Sequence, residues 1–111
     1  MSDCLFCRLV AGEIPSTVVR ETATTLAFRD IAPKAPVHVV VVPKAHYDNV
    51  PALADADPAL AATLVAEAAA VARAEGIGDA WRMVANTGAP AGQTVFHAHL
   101  HVLGGGRIEA M

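Results

Sequence analysis

The run His-Val-Val-Val-Val-Pro at residues 38–43 constrains this chain more than any other stretch. Side chains alternate across a strand with period two, so consecutive valines put apolar groups on both faces. A strand apolar on both faces belongs in the interior of a sheet, covered above and below. Pro43, which has no N–H to give a ladder, closes it. Residues 17–20 and 24–30 read as two earlier strands, the second with Leu26 and Phe28 on one face; residues 80–86 and 95–104 read as two later ones. Residues 30–37 hold two prolines and read as a loop. Asp3 is placed to cap a short helix that ends at Gly12. The one long helix has Asp57 as N-cap and Pro58 at its first position, an apolar stripe of Leu60, Leu64 and Val71, and an end at Gly76. The order is helix, three strands, helix, two strands. It predicts an α+β fold in which an antiparallel sheet carries a helix on one face. The opposite face is then left for a site or a partner.

A chain of 111 residues allows one domain, residues 1–111. A chain this short buries only about two-thirds of its unfolded surface, so a metal or a partner subunit would add useful stability. Hydrophobic content of 54% and a mean hydropathy of +0.42 exclude a disordered tail. The longest apolar runs, residues 39–42 and 68–72, fall far short of the ~20 residues of a membrane span. The N-terminal MSDCLFCRLV carries an acid and lacks the apolar core of a signal peptide, so the expected setting is the cytoplasm, with reduced thiols and no membrane. The net charge is −3 and no Lys/Arg block exists, which argues against nucleic acid as the main partner. A single nucleotide stays compatible, because backbone amides suffice to hold one.

The chemistry concentrates in HAHLHV, residues 97–102. On a strand His97, His99 and His101 share one face, while Ala98, Leu100 and Val102 take the other. The core claims the apolar set, and three imidazoles are presented outward together. His38 shares a face with Val40 and Val42, and gains functional weight only if its strand neighbours the triad. Cys4 and Cys7 form C-x-x-C on one helix face, half of a tetrahedral zinc site. No other cysteine exists, so histidines must complete such a site; His46, in the loop after Pro43 and Lys44, is available. A redox pair and two inert buried thiols are the competing readings, although a redox C-x-x-C normally follows a strand and nothing precedes this one. A catalytic metal held by all three triad histidines is disfavoured, because alternate strand residues lie ~6.5–7 Å apart. The loop TGAPAGQT, residues 87–94, feeds into the histidines. Gly88 and Gly92 let its amides point at an anion, Thr94 offers a hydroxyl, and Asn86 and Gln93 offer side-chain amides.

These residues resemble a known family. HAHLHVL (97–103) fits the histidine triad (HIT) pattern, LAFRDIAPKAPVHVVVVPKAH (26–46) resembles the family's nucleoside-binding segment, and NTGAPAGQTVFHAHLHVLGG (86–105) resembles its phosphate site. The HVLGG ending is most similar to the histidine triad nucleotide-binding (Hint) branch; the dinucleoside-polyphosphate hydrolase branch usually continues with Pro-Arg. The resemblance implies a five-stranded antiparallel sheet with one long helix and a short N-terminal helix, and a homodimer whose sheets join. It implies a hydrolase or nucleotidyltransferase that cleaves at the α-phosphate of purine nucleoside phosphoramidates or acyl-nucleotides. His99 would be the nucleophile forming a covalent nucleotidyl-histidine, His101 would tend the phosphate or leaving group, and His38 would orient the triad. Asn86, Gly92, Gln93, Thr94 and Val95 would form the phosphate loop, and Asp30 would accept the ribose hydroxyls. Phe6, Leu9, Phe28 and Ile31 would line the base slot, with Leu5 nearby. C-x-F-C members of the family bind structural zinc, which here implies Cys4, Cys7, His46 and His97 as ligands; no organic cofactor is implied. The alternatives are a dinucleoside-polyphosphate hydrolase and a nucleotide-binding regulator with incidental turnover; an intact His99 favours an enzyme. Many Hint-branch chains continue past the triad with a tail that reaches the other subunit, whereas this sequence stops at Met111.

Overall fold

A computed structural model describes residues 3–110, leaving Met1, Ser2 and Met111, and with them both ends of the sequence reading, outside the described residues. Helix α1 (Leu5–Val10) is followed by strands β1 (Val18–Glu21), β2 (Thr25–Arg29) and β3 (Val37–Pro43). Helices α2 (Val50–Ala56) and α3 (Pro58–Ala74) come next, then β4 (Trp81–Val84) and β5 (Leu100–Gly104). The strands form one antiparallel sheet in the order β1-β2-β3-β5-β4, so the valine strand is central, as its two apolar faces require.

The alternation of β2 and β3 divides the core in two. Ala27, Val39 and Val41 face α2 and α3, where Leu53, Leu64, Ala68 and Val71 cover them. Leu100 and Val102 of β5 join that cluster, and Trp81 packs against it. Leu26, Phe28, Val40 and Val42 face the other way and are covered by Phe6 of α1, with Leu9, Val10 and Val95 alongside. Helix α3 starts as its sequence dictates: the Asp57 side chain accepts from Leu60 N–H (3.0 Å), and Pro58 occupies the first turn.

Three expectations need correction. The N-cap of α1 is Cys4, whose sulfur accepts from Cys7 N–H at 3.4 Å, and not Asp3. A cysteine that must face inward with Cys7 takes the capping position itself. Helix α2 was not foreseen in the sequence, although Asn49 caps it through Ala52 N–H (2.8 Å) and Pro51 sits in its first turn. The last strand begins at Leu100 and not at residue 95. Pro43 offers no N–H to continue the ladder, its carbonyl is engaged by the His97 ring (2.8 Å), and Ala98 N–H turns to Tyr47 C=O (2.6 Å). His97 and His99 therefore stand on an irregular approach to β5, yet the alternation survives. Ala98 still packs with Leu100 and Val102, while the imidazoles take the α1 side.

Candidate active site and metal centre

The triad face is not outward in the sense the strand pattern suggests. Helix α1 lies over it: His97 is 0% exposed and His99 6%, and the Phe6 ring meets both edge-on at 6.0 and 5.1 Å. Between α1, β2 and β3 opens a cavity of about 570 Å³. Phe6, Leu9, Phe28, Asp30, Ile31, Thr94, Val95, His99 and His101 all line it, and so does Leu5. Phe6 and Phe28 pack edge to face (5.4 Å, 68°), giving the cavity a rigid aromatic wall. Ile31 stands wholly exposed at this cavity, an apolar group that a bound ring would cover.

Hydrogen bonds fix the proton on each imidazole. His99 Nδ1 lies 2.7 Å from the His97 carbonyl oxygen. A carbonyl only accepts, so Nδ1 carries the hydrogen and, in the neutral ring, Nε2 keeps the lone pair. Lys34 N–H donates to His38 Nδ1 at 3.0 Å, so the neutral His38 carries its hydrogen on Nε2. That N–H donates to His101 Nδ1 at 2.9 Å, which leaves His101 with an N–H on Nε2. The chain Lys34 amide, His38, His101 runs in one direction and ends as a donor. It depends on β3 and β5 being neighbours: His101 pairs with Val40, and His38 is its diagonal neighbour on the same face.

Burial supports the neutral forms. It lowers the His38 pKa below the usual histidine value, more than the carboxylate of Asp30, 3.5 Å away, raises it. It also drives His101 down to about 4, helped by the neighbouring His99 and His38. Asp30, His38 and His101 bring ligand atoms within 4.8 Å of one another. The Lys34 N–H on Nδ1 nevertheless requires a hydrogen on His38 Nε2, where a metal would have to bind. This trio is ordered by protons. Asp30 also closes a turn, accepting from Ala32 N–H at 2.8 Å.

A second cluster lies behind the triad. The ligand atoms of Cys4, Cys7, His46 and His97 fall within 4.8 Å of one another. The His97 Nδ1 is 3.4 Å from Cys4 Sγ, 3.5 Å from Cys7 Sγ and 3.1 Å from His46 Nδ1, and Cys7 Sγ is 3.3 Å from that nitrogen. Tetrahedral zinc with ordinary Zn–S and Zn–N bonds requires about 3.3 Å between nitrogens and about 3.6 Å between sulfur and nitrogen. The outer nitrogens are held as a metal site requires. His97 Nε2–H donates to Pro43 C=O (2.8 Å) and His46 Nε2–H to Asp48 Oδ1 (3.2 Å), so both Nδ1 lone pairs point inward. Two thiol protons could satisfy two nitrogens, but one divalent cation satisfies all four atoms and displaces both protons. The residues present thus fit zinc. Burial lowers the His97 pKa, which keeps the ring in its ligating form.

The Gly-rich loop is only partly where the sequence suggests. Thr94 and Val95 line the cavity, whereas Asn86, Gly92 and Gln93 do not. Asn86 Nδ2 donates to Ala91 C=O (2.9 Å), tying the loop together, and Gly92 turns it with a φ of 102°, a value that favours glycine. Gln93 is buried, and its amide is spent on backbone groups, so it offers no side-chain donor to a ligand. His38 stands behind His101 and not on the cavity wall. Ile14, Pro15, Ser16 and Thr17 close one side of the cavity and were not foreseen. Ile14, Pro15 and Ser16 belong to an irregular segment without periodicity, so nothing in the sequence marks them, and Thr17, read as the first residue of a strand, stands just before β1. Val40 could have been found from its shared face with Phe28.

The model of the HIT domain matches residues 11–108 of the sequence. The chain belongs to the HIT family. An uncharacterized HIT-like protein of Synechocystis is 47% identical over 103 residues, covering 93% of this chain and 90% of the relative. Protein HitA of Neisseria gonorrhoeae is 36% identical, covering 94% and 97%. Among solved structures, a HIT family hydrolase from Clostridium thermocellum superposes with a TM-score of 0.94 at 38% identity, covering 100% of this chain and 97% of that one. A HIT family hydrolase from Legionella pneumophila superposes with a TM-score of 0.92 at 44% identity, covering 96% of each chain. The five-stranded antiparallel sheet is thus the HIT fold, and no described helix is long and apolar enough to cross a membrane.

The depressed His101 pKa has a consequence for stability. Unfolding restores an ordinary histidine pKa of about 6.5. The unfolded chain then binds more protons than the folded one between that value and about 4. The stabilising contribution is full above pH 6.5 and is lost as pH falls toward 4. Melting of the wild type followed from pH 7 to 4.5 is expected to show Tm falling more steeply than in His101→Gln. Equal slopes would show that His101 is not held neutral.

Proposed function

We propose that this protein, as one HIT domain over residues 1–111, is a Hint-branch nucleotide hydrolase or nucleotidyltransferase. It acts at the α-phosphate of purine nucleoside phosphoramidates or acyl-nucleotides through a nucleotidyl intermediate on His99. The observation that carries the reading is the state of His99 at the cavity wall: Nδ1–H is committed to the His97 carbonyl, which leaves Nε2 as the lone-pair nitrogen. The two superposed solved structures are each named a HIT family hydrolase, which supports an enzyme.

In this reading the purine lies against the Phe6–Phe28 wall beside Leu9 and Ile31, and the ribose hydroxyls donate to Asp30. The phosphate oxygens meet the backbone N–H groups of Thr94 and Val95 and the Nε2–H of His101. Asn86, Gly92 and Gln93 contribute by shaping the loop. His99 Nε2 attacks phosphorus in line with the leaving group. The P–N or P–O bond pair departs with that group; a carboxylate needs no proton, and an amine takes one from water. The phosphorylated imidazolium keeps its Nδ1–H on the His97 carbonyl, an acceptor suited to its positive charge. Water then adds to phosphorus and gives up a proton to solvent, the bond pair returns to His99 Nε2, and the nucleoside monophosphate leaves. Holding the reactive atoms together in the cavity lowers the entropic part of the barrier. Rapid quench with an AMP phosphoramidate, followed by intact-mass measurement, is expected to give a protein adduct of AMP mass. The adduct should vanish in His99→Ala, with turnover lower by ~10³-fold or more. An adduct that survives in His99→Ala would move the nucleophile elsewhere.

Cys4, Cys7, His46 and His97 hold a structural zinc ion in the same reading, supported by the inward lone pairs and the interatomic distances above. Bound there, zinc would tie α1 to the segment carrying His99 and supply no open position for chemistry. Cys4→Ser is expected to lower both zinc content, by elemental analysis, and Tm; full zinc occupancy in that variant would remove Cys4 from the ligand set.

The protein acts as a cytoplasmic homodimer. Strand β4 ends the sheet on one side, and its outer edge has no strand partner among the described residues. Met83 on β4 and Val65 on α3 are exposed apolar groups. Pairing of two β4 edges satisfies their backbone groups and joins the two sheets. Light scattering is expected to give twice the 11.5 kDa chain mass, and a monomer at micromolar concentration would refute the pairing.

A further inference from the structure

Gln93 is the polar residue of the Gly-rich loop that solvent reaches least, only 3% exposed. Its amide is fully spent. Oε1 accepts from Gly88 N–H (2.8 Å), and Nε2 donates to Asp48 C=O (2.7 Å) and Val95 C=O (3.0 Å). Both amide hydrogens thus have carbonyl partners.

The three segments so joined have different duties. Gly88 opens the loop with a φ of 87°. Val95 closes it beside Thr94 at the cavity wall. Asp48 belongs to the segment that carries His46, and its own carboxylate takes the His46 Nε2–H (3.2 Å). One side chain therefore reaches from the cavity wall to the residue that orients a metal-cluster imidazole.

We propose that Gln93 is a positioning residue: it holds the Thr94–Val95 backbone in register with the His46–Asp48 segment and does not itself touch the nucleotide. Backbone amides bind an anion well only when already aimed at it, since a loop that must be ordered on binding weakens the complex. Without the Gln93 amide, Gly88 N–H and the carbonyls of Asp48 and Val95 lose their partners together. The phosphate loop and the segment bearing His46 then loosen together. The inference rests on the nucleotide reading of the cavity.

Two substitutions test it. Gln93→Met keeps the length and removes all three hydrogen bonds. Gln93→Glu keeps an acceptor for Gly88 N–H but sets an oxygen against two carbonyls. Affinities for AMP and adenosine are measured by calorimetry, deuterium exchange is followed over residues 44–49, and zinc release to a chelator is timed. In any variant whose adenosine affinity stays within about twofold, AMP should bind about tenfold more weakly. Exchange over 44–49 and zinc release should both be faster. Weaker AMP binding with unchanged exchange over 44–49 would make Gln93 a direct phosphate contact and overturn the proposal. Faster exchange with an unchanged AMP-to-adenosine ratio would confine Gln93 to the metal segment and overturn it equally. A wild type that binds AMP no better than adenosine would instead sink the nucleotide reading. Gln93 as a brace between the two segments would then be decided by exchange over 44–49 and 93–95, with faster exchange in both required.

Discussion

The hydrogen bond from His99 Nδ1 to the carbonyl oxygen of His97 is the contact on which the rest of this site turns. It decides which nitrogen of His99 faces the cavity with a lone pair. His97 is in turn held on the far side of its ring, by Pro43 C=O at Nε2 and by the Cys4, Cys7 and His46 cluster at Nδ1. A single buried residue therefore fixes the tautomer of its neighbour through its backbone and joins the Cys4, Cys7 and His46 cluster through its side chain. A short α1 helix, which would be marginal by itself, is anchored by that cluster and brings Phe6 against His99.

Two chains of oriented groups meet at the cavity, and they arrive from opposite ends of the sheet. One begins at the Lys34 amide and runs through His38 to a donor on His101. The other begins at Pro43 and the Cys4, Cys7 and His46 cluster and ends in an acceptor, the lone pair of His99. A donor and a lone pair thus stand side by side, with ring centroids 4.9 Å apart, the arrangement that the proposed phosphate chemistry calls for. Burial disfavours the charged forms of His38, His97 and His101. This is a site ordered by hydrogen-bond direction more than by charge.

Much of this was legible in the sequence wherever alternation or capping governs. The four valines give a central strand because both of their faces need cover, and β3 occupies the middle of the sheet. Leu26 and Phe28 pair on the face opposite Ala27, and Asp57 with Pro58 starts α3. Cys4 and Cys7 meet His46 and His97, the set that the family resemblance, and not alternation or capping, implied. Where the sequence misled, a local rule met a tertiary demand. Asp3 yielded the cap to Cys4 because the cysteines must face the histidines. Strand β5 lost its first residues because Pro43 ends the ladder beside it. Gln93, which on composition alone offers an amide to a ligand, is consumed within the loop.

The sequence by itself determined which side chains go together: period two assigns His97, His99 and His101 to one side of the chain and Ala98, Leu100 and Val102 to the core. That assignment is a property of the local backbone and survives even where the strand ladder does not. Only the tertiary structure decided what each imidazole does. Three residues of one kind on one face are equivalent until a carbonyl, an amide or a pair of sulfurs stands behind each of them. Those partners come from positions as distant in sequence as Cys4, Lys34 and Pro43.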